Sequence, residues 1–243
     1  MYGLNTCDYG ARQYDPARIT WDRMDQYAEK YYHINPYLYC AGNPIRYVDP
    51  DGRVIYIAYQ DNNNRTRWFK FTGFHGKTKI DIPNNKFVKD VVESYVYNCK
   101  NGGGDMMKKA IYSKKAIYIQ DSRLETFDQS SCFQYDSSVD YDSQPTIFWN
   151  PNEGTITSEG GFQSPATCLE HEMDHAIDYV SNPKAHKQRS QISDDKYDTK
   201  EERRVTTGSE ARQAKFNNES RRYNHRGRSY KTKDPTRIPQ RKK

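Results

Sequence analysis

Residues 168–179 read Cys-Leu-Glu-His-Glu-Met-Asp-His-Ala-Ile-Asp-Tyr and contain the pattern His-Glu-x-x-His at positions 171–175. Residues four apart on a helix lie one above the other on the same face. His171 and His175 can therefore present two imidazoles to one metal ion, with Glu172 beside them. The stretch predicts a helix that carries a zinc site of the hydrolase type, in which Glu172 is the general base.

The flanking residues predict where this helix begins and ends. Ser164 and Pro165 fit an N-cap and a first helical position, and Asn182-Pro183 fits a stop, which gives a helix of about 17 residues. At about 100° per residue, His171, His175 and Asp178 fall opposite an apolar stripe. That stripe consists of Ala166, Leu169, Met173, Ala176, Ile177 and Val180. We expect the polar side to lie on the surface or to line a cleft.

Length and composition indicate one sizeable domain with an appendage. The chain has 243 residues, of which 34% are hydrophobic, and a mean hydropathy of −1.13. Its 21 Tyr residues provide large side chains that can build a core while keeping a polar tip. No run of about 18 apolar residues predicts a membrane span, and no charged-then-apolar segment predicts a signal peptide. We therefore expect any export to depend on other machinery or on a larger parent protein.

The positive charge is concentrated at the C-terminal end. Residues 221–243 contain ten Lys or Arg against one acid, Asp234, so the remaining chain carries −3 within the total of +6. With its Gly and Pro residues, this segment is interpreted as a flexible basic tail. Nucleic-acid binding by the tail is the alternative interpretation, although we do not expect a nucleic-acid partner.

The five cysteines are widely spaced and include no Cys-x-x-Cys pair. This pattern excludes a zinc knuckle and a disulfide framework and indicates synthesis in a reducing compartment. Cys168 lies one turn before His171 and could reach the metal face, but we interpret it as a small buried hydrophobe.

Between the N-terminal region and the metal helix, the sequence predicts a small mixed or antiparallel sheet and a scaffold helix. The predicted strands cover residues 54–59, 66–72, 77–82, 116–120 and 146–149, and the helix covers 86–99. The first three strands are expected to form a meander with a turn at 61–64. The long acidic stretch 121–143 is interpreted as a lid or substrate-binding loop, with calcium binding as the alternative.

Residues 8–52 carry a series of motifs in fixed order: DYGARQYDP at 8–16, AEKYY at 28–32, NPYLYC at 35–40, NP at 43–44 and DPDG at 49–52. The series resembles the end of the Rhs-associated core of Rhs/YD-repeat polymorphic toxins. This chain departs from the family at 21–29 (WDRMDQYAE) and lacks the upstream repeats. The resemblance implies a short β-rich core remnant over 1–52, a toxin domain from residue 53, delivery by a secretion apparatus or Rhs shell, and a cognate immunity protein.

A catalytic zinc site needs a third protein ligand besides the two histidines. The segment from Lys200 to Glu210 (KEERRVTTGSE) resembles the second helix of glutamate-type zincins, and this resemblance implies that Glu202 binds zinc. Thr199 to Glu202 also fits a capping box, which would explain the same residues without a metal. Glu201, Glu210 and Asp178 stay open as ligands, and Asp178 also fits a hydrogen-bond partner of a ligating imidazole. In such zincins the strand shortly before the metal helix, here 146–149, pairs with an extended substrate.

Three residues further along are candidates to stabilise a developing oxyanion: Arg222, Tyr223 and His225, of which Tyr223 and His225 are taken as catalytic with Glu172. His33, His75 and His186 are interpreted as structural or surface residues. Together these features predict an α+β, zincin-like zinc metallopeptidase domain over 53–220, made in the bacterial cytoplasm and delivered as an effector that cleaves target-cell proteins. The alternatives are a toxin or binder that targets nucleic acid, and an inactive structural or adaptor module.

Overall fold

In a computed structural model, the chain divides into two units, Met1–Gly52 and Arg53–Lys243. The structure describes residues 7–8, 13–15, 20–22, 55–74, 80–113, 115–124, 132–134 and 145–240. In the first unit, strands β1 (Cys7–Asp8), β2 (Gln13–Asp15) and β3 (Thr20–Trp21) form an antiparallel sheet in that order. The other motifs of residues 8–52, His33 and His75, and most of the acidic stretch 121–143 lie outside the described residues.

The second unit contains a five-stranded mixed sheet with the order β5-β4-β6-β8-β7. Its three inner strands are mutually parallel, and the two edge strands run antiparallel to their neighbours. The strands are β4 (Ile55–Gln60), β5 (Thr66–Phe71), β6 (Ile117–Asp121), β7 (Cys132–Gln134) and β8 (Thr146–Trp149). Mixed α+β architecture is therefore confirmed.

Within the described residues, the expected three-stranded meander is represented by one hairpin, formed by β4 and β5. Its turn lies where the sequence predicted, because the Asp61 carboxylate accepts hydrogen bonds from the backbone N–H groups of Asn63 and Arg65. The predicted strand over 77–82 is wrong at residues 80–82, which have no strand structure. The other side of β4 pairs in parallel with β6 instead, and a parallel neighbour requires a crossover connection.

Two helices make that crossover, α1 (Lys86–Lys100) and α2 (Asp105–Ile111). The Asn85 side chain caps α1 by accepting from the Val88 N–H, and α1 buries Phe87, Val88, Val91 and Val92 in the core. Helix α2 was not predicted, because it spans only seven residues and follows three glycines that indicate a break.

Helix α3 (Pro165–Ser181) has the predicted bounds, and the Ser164 hydroxyl accepts from the Thr167 N–H as its N-cap. Leu169, Met173 and Ala176 are fully buried in the core against the sheet and helices α1 and α2. Its polar side is buried as well, because the chain after α3 folds over it.

The segment that covers the polar side of α3 consists of residues 183–216. Helix α4 (Pro183–Ser190) is followed by a two-stranded hairpin, β11 (Ser193–Asp194) and β12 (Asp198–Thr199). Three helical segments then follow without a break: α5 (Lys200–Val205), a π-helical turn (Thr206–Glu210) and α6 (Ala211–Phe216). Such π-turns inside α-helices are rare and occur often at functional sites.

A second sheet lies beside α3 and has the order β10-β9-β13. It contains β9 (Glu153–Thr157), β10 (Phe162–Gln163) and β13 (Gly227–Lys231). The interpretation of residues 221–243 as a flexible tail therefore differs from the structure, in which part of this segment is an ordered strand of the fold. In the described part of the chain, no helix is both long enough and apolar enough to span a bilayer.

Candidate active site

Helices α3 and α5 bring three ligand-type side chains to one point. The Nε2 atoms of His171 and His175 lie 3.1 Å apart. The Glu202 carboxylate faces both of them, with Oε2 at 3.1 Å from His171 Nε2 and Oε1 at 3.3 Å from His175 Nε2. Both imidazoles are buried, whereas Glu202 is partly exposed. The i, i+4 spacing on α3 and the start of α5 thus form one His-His-Glu cluster.

The other nitrogen of each imidazole faces a different carboxylate. His171 Nδ1 lies 2.7 Å from Oε2 of Glu210, and His175 Nδ1 lies 3.3 Å from Oε1 of Glu201. A carboxylate can only accept, so each Nδ1 donates its proton and each ring is held with Nε2 towards the centre of the cluster.

The four carboxylates that the sequence left open therefore occupy different places. Glu202 faces the paired Nε2 atoms, Glu201 and Glu210 hold the Nδ1 atoms, and Asp178 accepts from His186 Nδ1 at 3.2 Å. The capping interpretation holds for Thr199, whose hydroxyl accepts from the Glu202 N–H at 3.1 Å. The Glu202 side chain nevertheless extends to the histidines.

The centre of the cluster is a strongly negative environment. Burial disfavours a charged imidazole, yet Glu202 and Glu210 raise the pKa of His171 to about 10, and Glu201 and Glu202 raise that of His175 to about 9. Although burial acts in the opposite direction, the hydrogen bonds from the two histidines hold the pKa of Glu202 well below its ordinary value. The cluster therefore favours a positive charge at its centre.

A second group of potential ligands, His175, His186 and Glu201, lies directly behind the first. Glu201 Oε2 accepts from Arg189 Nε at 2.6 Å, and its Oε1 accepts from Arg204 Nη2 at 2.7 Å. Two guanidinium groups already supply the positive charge here. This arrangement acts as a buried ion-pair network that orients His175 and leaves little electrostatic demand for a second metal.

Glu172 lies beside the cluster and lines a cleft of about 220 Å³ together with His171 and His225. Its side chain is 9% exposed, and burial raises the pKa of its carboxyl although the neighbouring histidines act in the opposite direction. The remaining walls come from the second sheet, α3 and the segment before β13: Glu153, Gly154, Thr155, Cys168, Arg222, Gly227, Arg228 and Ser229.

The three residues considered for an oxyanion role are placed differently. His225 stacks on His171, and its Nε2 lies 3.2 Å from Glu202 Oε2, while its Nδ1 lies 2.6 Å from Asp198 Oδ2. Arg222 lies behind His171 and donates to both oxygens of Glu210. Tyr223 is 56% exposed, lies beneath the Arg221 guanidinium and does not line the cleft.

Cys168 lines the cleft and belongs to neither group of potential metal ligands. Its Sγ lies 3.5 Å from Oγ1 of Thr155 in β9, and burial raises the pKa of the thiol to about 12. A neutral thiol of this kind is a poor nucleophile and a poor metal ligand. Cys168 was interpreted as a small buried hydrophobe, but it is only half-buried.

Sequence reasoning missed two residues that support the cluster, Asp198 and Gln163, and gave Arg222 a different role. Asp198 holds His225 from a hairpin, His186 belongs to the buried network, and Arg222 and Gln163 both donate to Glu210. None of these positions belongs to a sequence motif that points to such a role. The sequence offered one indication of this support: Glu210 lies in the segment from Lys200 to Glu210 and was considered there as a possible ligand.

Comparison with known proteins identifies the family. The model of the Peptidase_M91 family, described as "Effector protein", matches residues 83–236, which is more than half of the chain. Searches of the curated proteins and of the solved structures each found no match. The matched region contains α3, α5 and β13, and therefore the whole cluster and the cleft. The chain belongs to the Peptidase_M91 family of effector proteins.

Proposed function

We propose that this peptidase effector is a zinc-dependent endopeptidase of the HExxH type, in which His171, His175 and Glu202 hold the ion. Membership of the family indicates a peptidase, hence a protein or peptide substrate, and its description as an effector suggests delivery into other cells. The observation that carries the proposal is the cluster itself. Two imidazole nitrogens 3.1 Å apart both face one carboxylate and both need a cation between them.

The donor set fits zinc in chemistry and spacing. Two imidazoles and a carboxylate are common zinc ligands, and bonds of 2.0–2.1 Å in a tetrahedron place neighbouring donors about 3.3 Å apart. Here the two Nε2 atoms are 3.1 Å apart, and they lie 3.1 and 3.3 Å from the two different oxygens of the Glu202 carboxylate. Two imidazolium rings with their Nε2 atoms 3.1 Å apart would repel one another, whereas a single metal ion between the three side chains puts no like charges in contact.

Glu172 is proposed as the general base. A bound zinc ion would supply a Lewis acid that lowers the pKa of water to about 7. Glu172 lines the cleft beside His171 and, as a carboxylate, can accept the proton of an attacking water and pass it to the leaving amine. Its burial keeps bulk water from competing for this proton transfer.

His225 is proposed to stabilise the oxyanion, ahead of Tyr223 and Arg222. It lies at the cleft, Asp198 holds its ring through Nδ1, and its Nε2 lies 3.2 Å from Oε2 of Glu202, beside the place proposed for the reacting carbonyl. Arg222 is already engaged by Glu210, and Tyr223 lies outside the cleft. The zincin-like fold belongs to this proposal as well, supported by the HExxH helix beside a mixed sheet.

Delivery as the C-terminal part of an Rhs-type protein is the remaining part of the proposal. It is supported by the ordered motifs of residues 8–52, which end at DPDG just before the second unit begins. A toxin of this kind would require a cognate immunity protein in the producing cell, and the chain would be made in the cytoplasm before export.

The Glu172→Gln variant tests the catalytic proposal. Zinc bound per chain should stay near one, while the new protein N-termini found in cells that express the wild type should disappear. His171→Ala should lose both zinc and cleavage, and Glu159→Gln, which changes an exposed carboxylate outside the cleft, should change neither. Purified wild type without zinc, or undiminished cleavage by Glu172→Gln, would exclude this mechanism.

A further inference from the structure

Strand β13 forms a free edge of the second sheet. Strand β9 is paired on both sides, by β10 and β13, whereas in the described part of the chain β13 pairs only with β9. The strand expected to receive substrate, 146–149, also has neighbours on both sides, since β8 pairs with β6 and β7. An additional strand could therefore pair with β13, whose free edge lies near the cleft.

The register shows which backbone groups of β13 point outwards. The Thr232 N–H donates to the Asn152 carbonyl at 2.9 Å, so Thr232 faces the β9 side. Backbone groups alternate sides along an antiparallel strand, and those of Gly227, Ser229 and Lys231 therefore point away from β9. Within the described residues these outward N–H and C=O groups have no backbone partner.

This edge runs alongside the proposed catalytic residues. Gly227, Arg228 and Ser229 line the same cleft as His171 and Glu172. Gly227 is also in tight contact with β9, because a Cβ there would lie 2.9 Å from the Ile156 carbonyl oxygen. An extended chain paired with β13 would therefore run along the cleft that His171 and Glu172 also line.

The edge carries positive charge that the protein does not neutralise. Arg226 and Arg228 are exposed and form no ion pair with any described residue. Lys231 pairs with Glu153 at 3.2 Å, and Arg222 is neutralised by Glu210. Charged side chains on an edge strand often only prevent aggregation. Arg228 also lines the cleft, so its charge can in addition attract an acidic side chain of a bound substrate.

We propose that the substrate is an extended polypeptide segment rich in acidic residues, which binds by adding a strand to the free edge of β13. Its backbone pairs with Gly227, Ser229 and Lys231, and its Asp or Glu side chains lie opposite Arg228 and near Arg226. The inference rests on the proposed peptidase function for the cleavage step, while the binding step can be measured separately.

The test measures binding to the full-length Glu172→Gln protein by fluorescence anisotropy. The probes are labelled peptides of about ten residues that alternate Thr with Glu, Gln or Lys. The Glu peptide should bind about tenfold more tightly than the Gln peptide and more tightly still than the Lys peptide, and added salt should reduce the difference. Equal affinity for the three peptides, or no binding of the Glu peptide, would overturn the proposal.

Two further arms separate charge recognition from strand pairing. Arg228→Glu should weaken the Glu peptide about tenfold and strengthen the Lys peptide, whereas the matched charge reversal Arg212→Glu, on the exposed surface of α6, should change neither. Glu peptides N-methylated at alternate residues, in both phases, test the backbone bonds. At least one of the two peptides, methylated at odd or at even positions, must lose binding. If both peptides still bind, the added strand is excluded. Zinc content, measured in parallel, reports on the catalytic proposal independently.

Discussion

The Nδ1 atom of His171 lies 2.7 Å from Oε2 of Glu210, a residue 39 positions further along the chain. Arg222 and Gln163 donate to the same carboxylate, so Glu210 is fully satisfied although it is 1% exposed. The proposed ligand is thus oriented by a residue from the π-turn, which is itself held by a residue from the segment before β13. Orientation of His171 depends on the whole C-terminal part of the domain.

Glu210→Gln should weaken zinc binding about 10–100-fold, because the amide is a poorer acceptor for the Nδ1 proton and no longer neutralises Arg222. The affinity can be measured by competition with a chromophoric chelator. Glu159→Gln removes an exposed carboxylate elsewhere and should leave the affinity unchanged. An unchanged affinity in Glu210→Gln would mean that the hydrogen bond does not orient the ligand.

Removal of zinc should destabilise the domain, because the two Nε2 atoms and the Glu202 carboxylate then face one another without a cation. With free zinc about 1,000-fold above its Kd, the loss of stability is about 4 kcal/mol. Thermal unfolding with and without a chelator measures this loss. His175→Ala should unfold at a lower temperature and show no response to the chelator, whereas a wild type that ignores the chelator would contradict the prediction.

Glu201→Ala should lower the free energy of unfolding by about 3 kcal/mol, because it leaves Arg189, Arg204 and two imidazole nitrogens without their shared partner. Arg189 keeps Asp178 and Arg204 keeps Asp174 as a partner, which limits the loss. Urea denaturation measures the change. Arg67→Ala breaks the exposed pair with Asp61 and should cost far less, so similar losses in the two variants would argue against the buried network.

Asp198→Ala should reduce kcat about tenfold without loss of zinc, because Asp198 orients the His225 ring through its Nδ1 atom. Asp198 has a φ of +65°, a conformation that Asn also tolerates. Asp198→Asn keeps an acceptor and should therefore retain more activity than Asp198→Ala. A change confined to KM, or equal activity of the two variants, would exclude this positioning role.

Leu169→Ala should destabilise the domain by about 2–5 kcal/mol, because Leu169 is fully buried where α3 packs on the core. Chemical denaturation of the zinc-loaded protein measures this directly. Ile192→Ala is the matched control, since Ile192 is 42% exposed and its truncation should cost well under 1 kcal/mol.

Helix α3 could be predicted to the residue because every local signal agreed. Ser164 caps it, Pro165 begins it, and the apolar stripe packs on the core as expected. The sequence also placed Glu202 on a helix capped by Thr199. Its role as a ligand stays a prediction, although the structure brings it to the histidines.

The elements that were missed lack such local signals. Asn182-Pro183 ends α3, but Pro183 also begins α4, whose polar sequence has no apolar stripe. Strand β13 (GRSYK) shows no clear alternation, since it has a single apolar or aromatic side chain, Tyr230, which packs edge-on against Phe162. Parallel pairing of β4 with β6 depends on the crossover through α1 and α2, and no residue pattern within the strands specifies it.

The π-turn at Thr206–Glu210 changes the direction in which the side chains after it point. A wide turn is equivalent to one residue inserted into an α-helix, so everything after it is rotated by about 100° relative to an uninterrupted helix. Glu201 and Glu202 lie before this step, and Glu210 and α6 lie after it. Deletion of one residue at Gly208 would leave the first pair in place and turn Glu210 away from His171. The one extra residue of the π-turn thus lets Glu202, which precedes it, and Glu210, which ends it, both face His171.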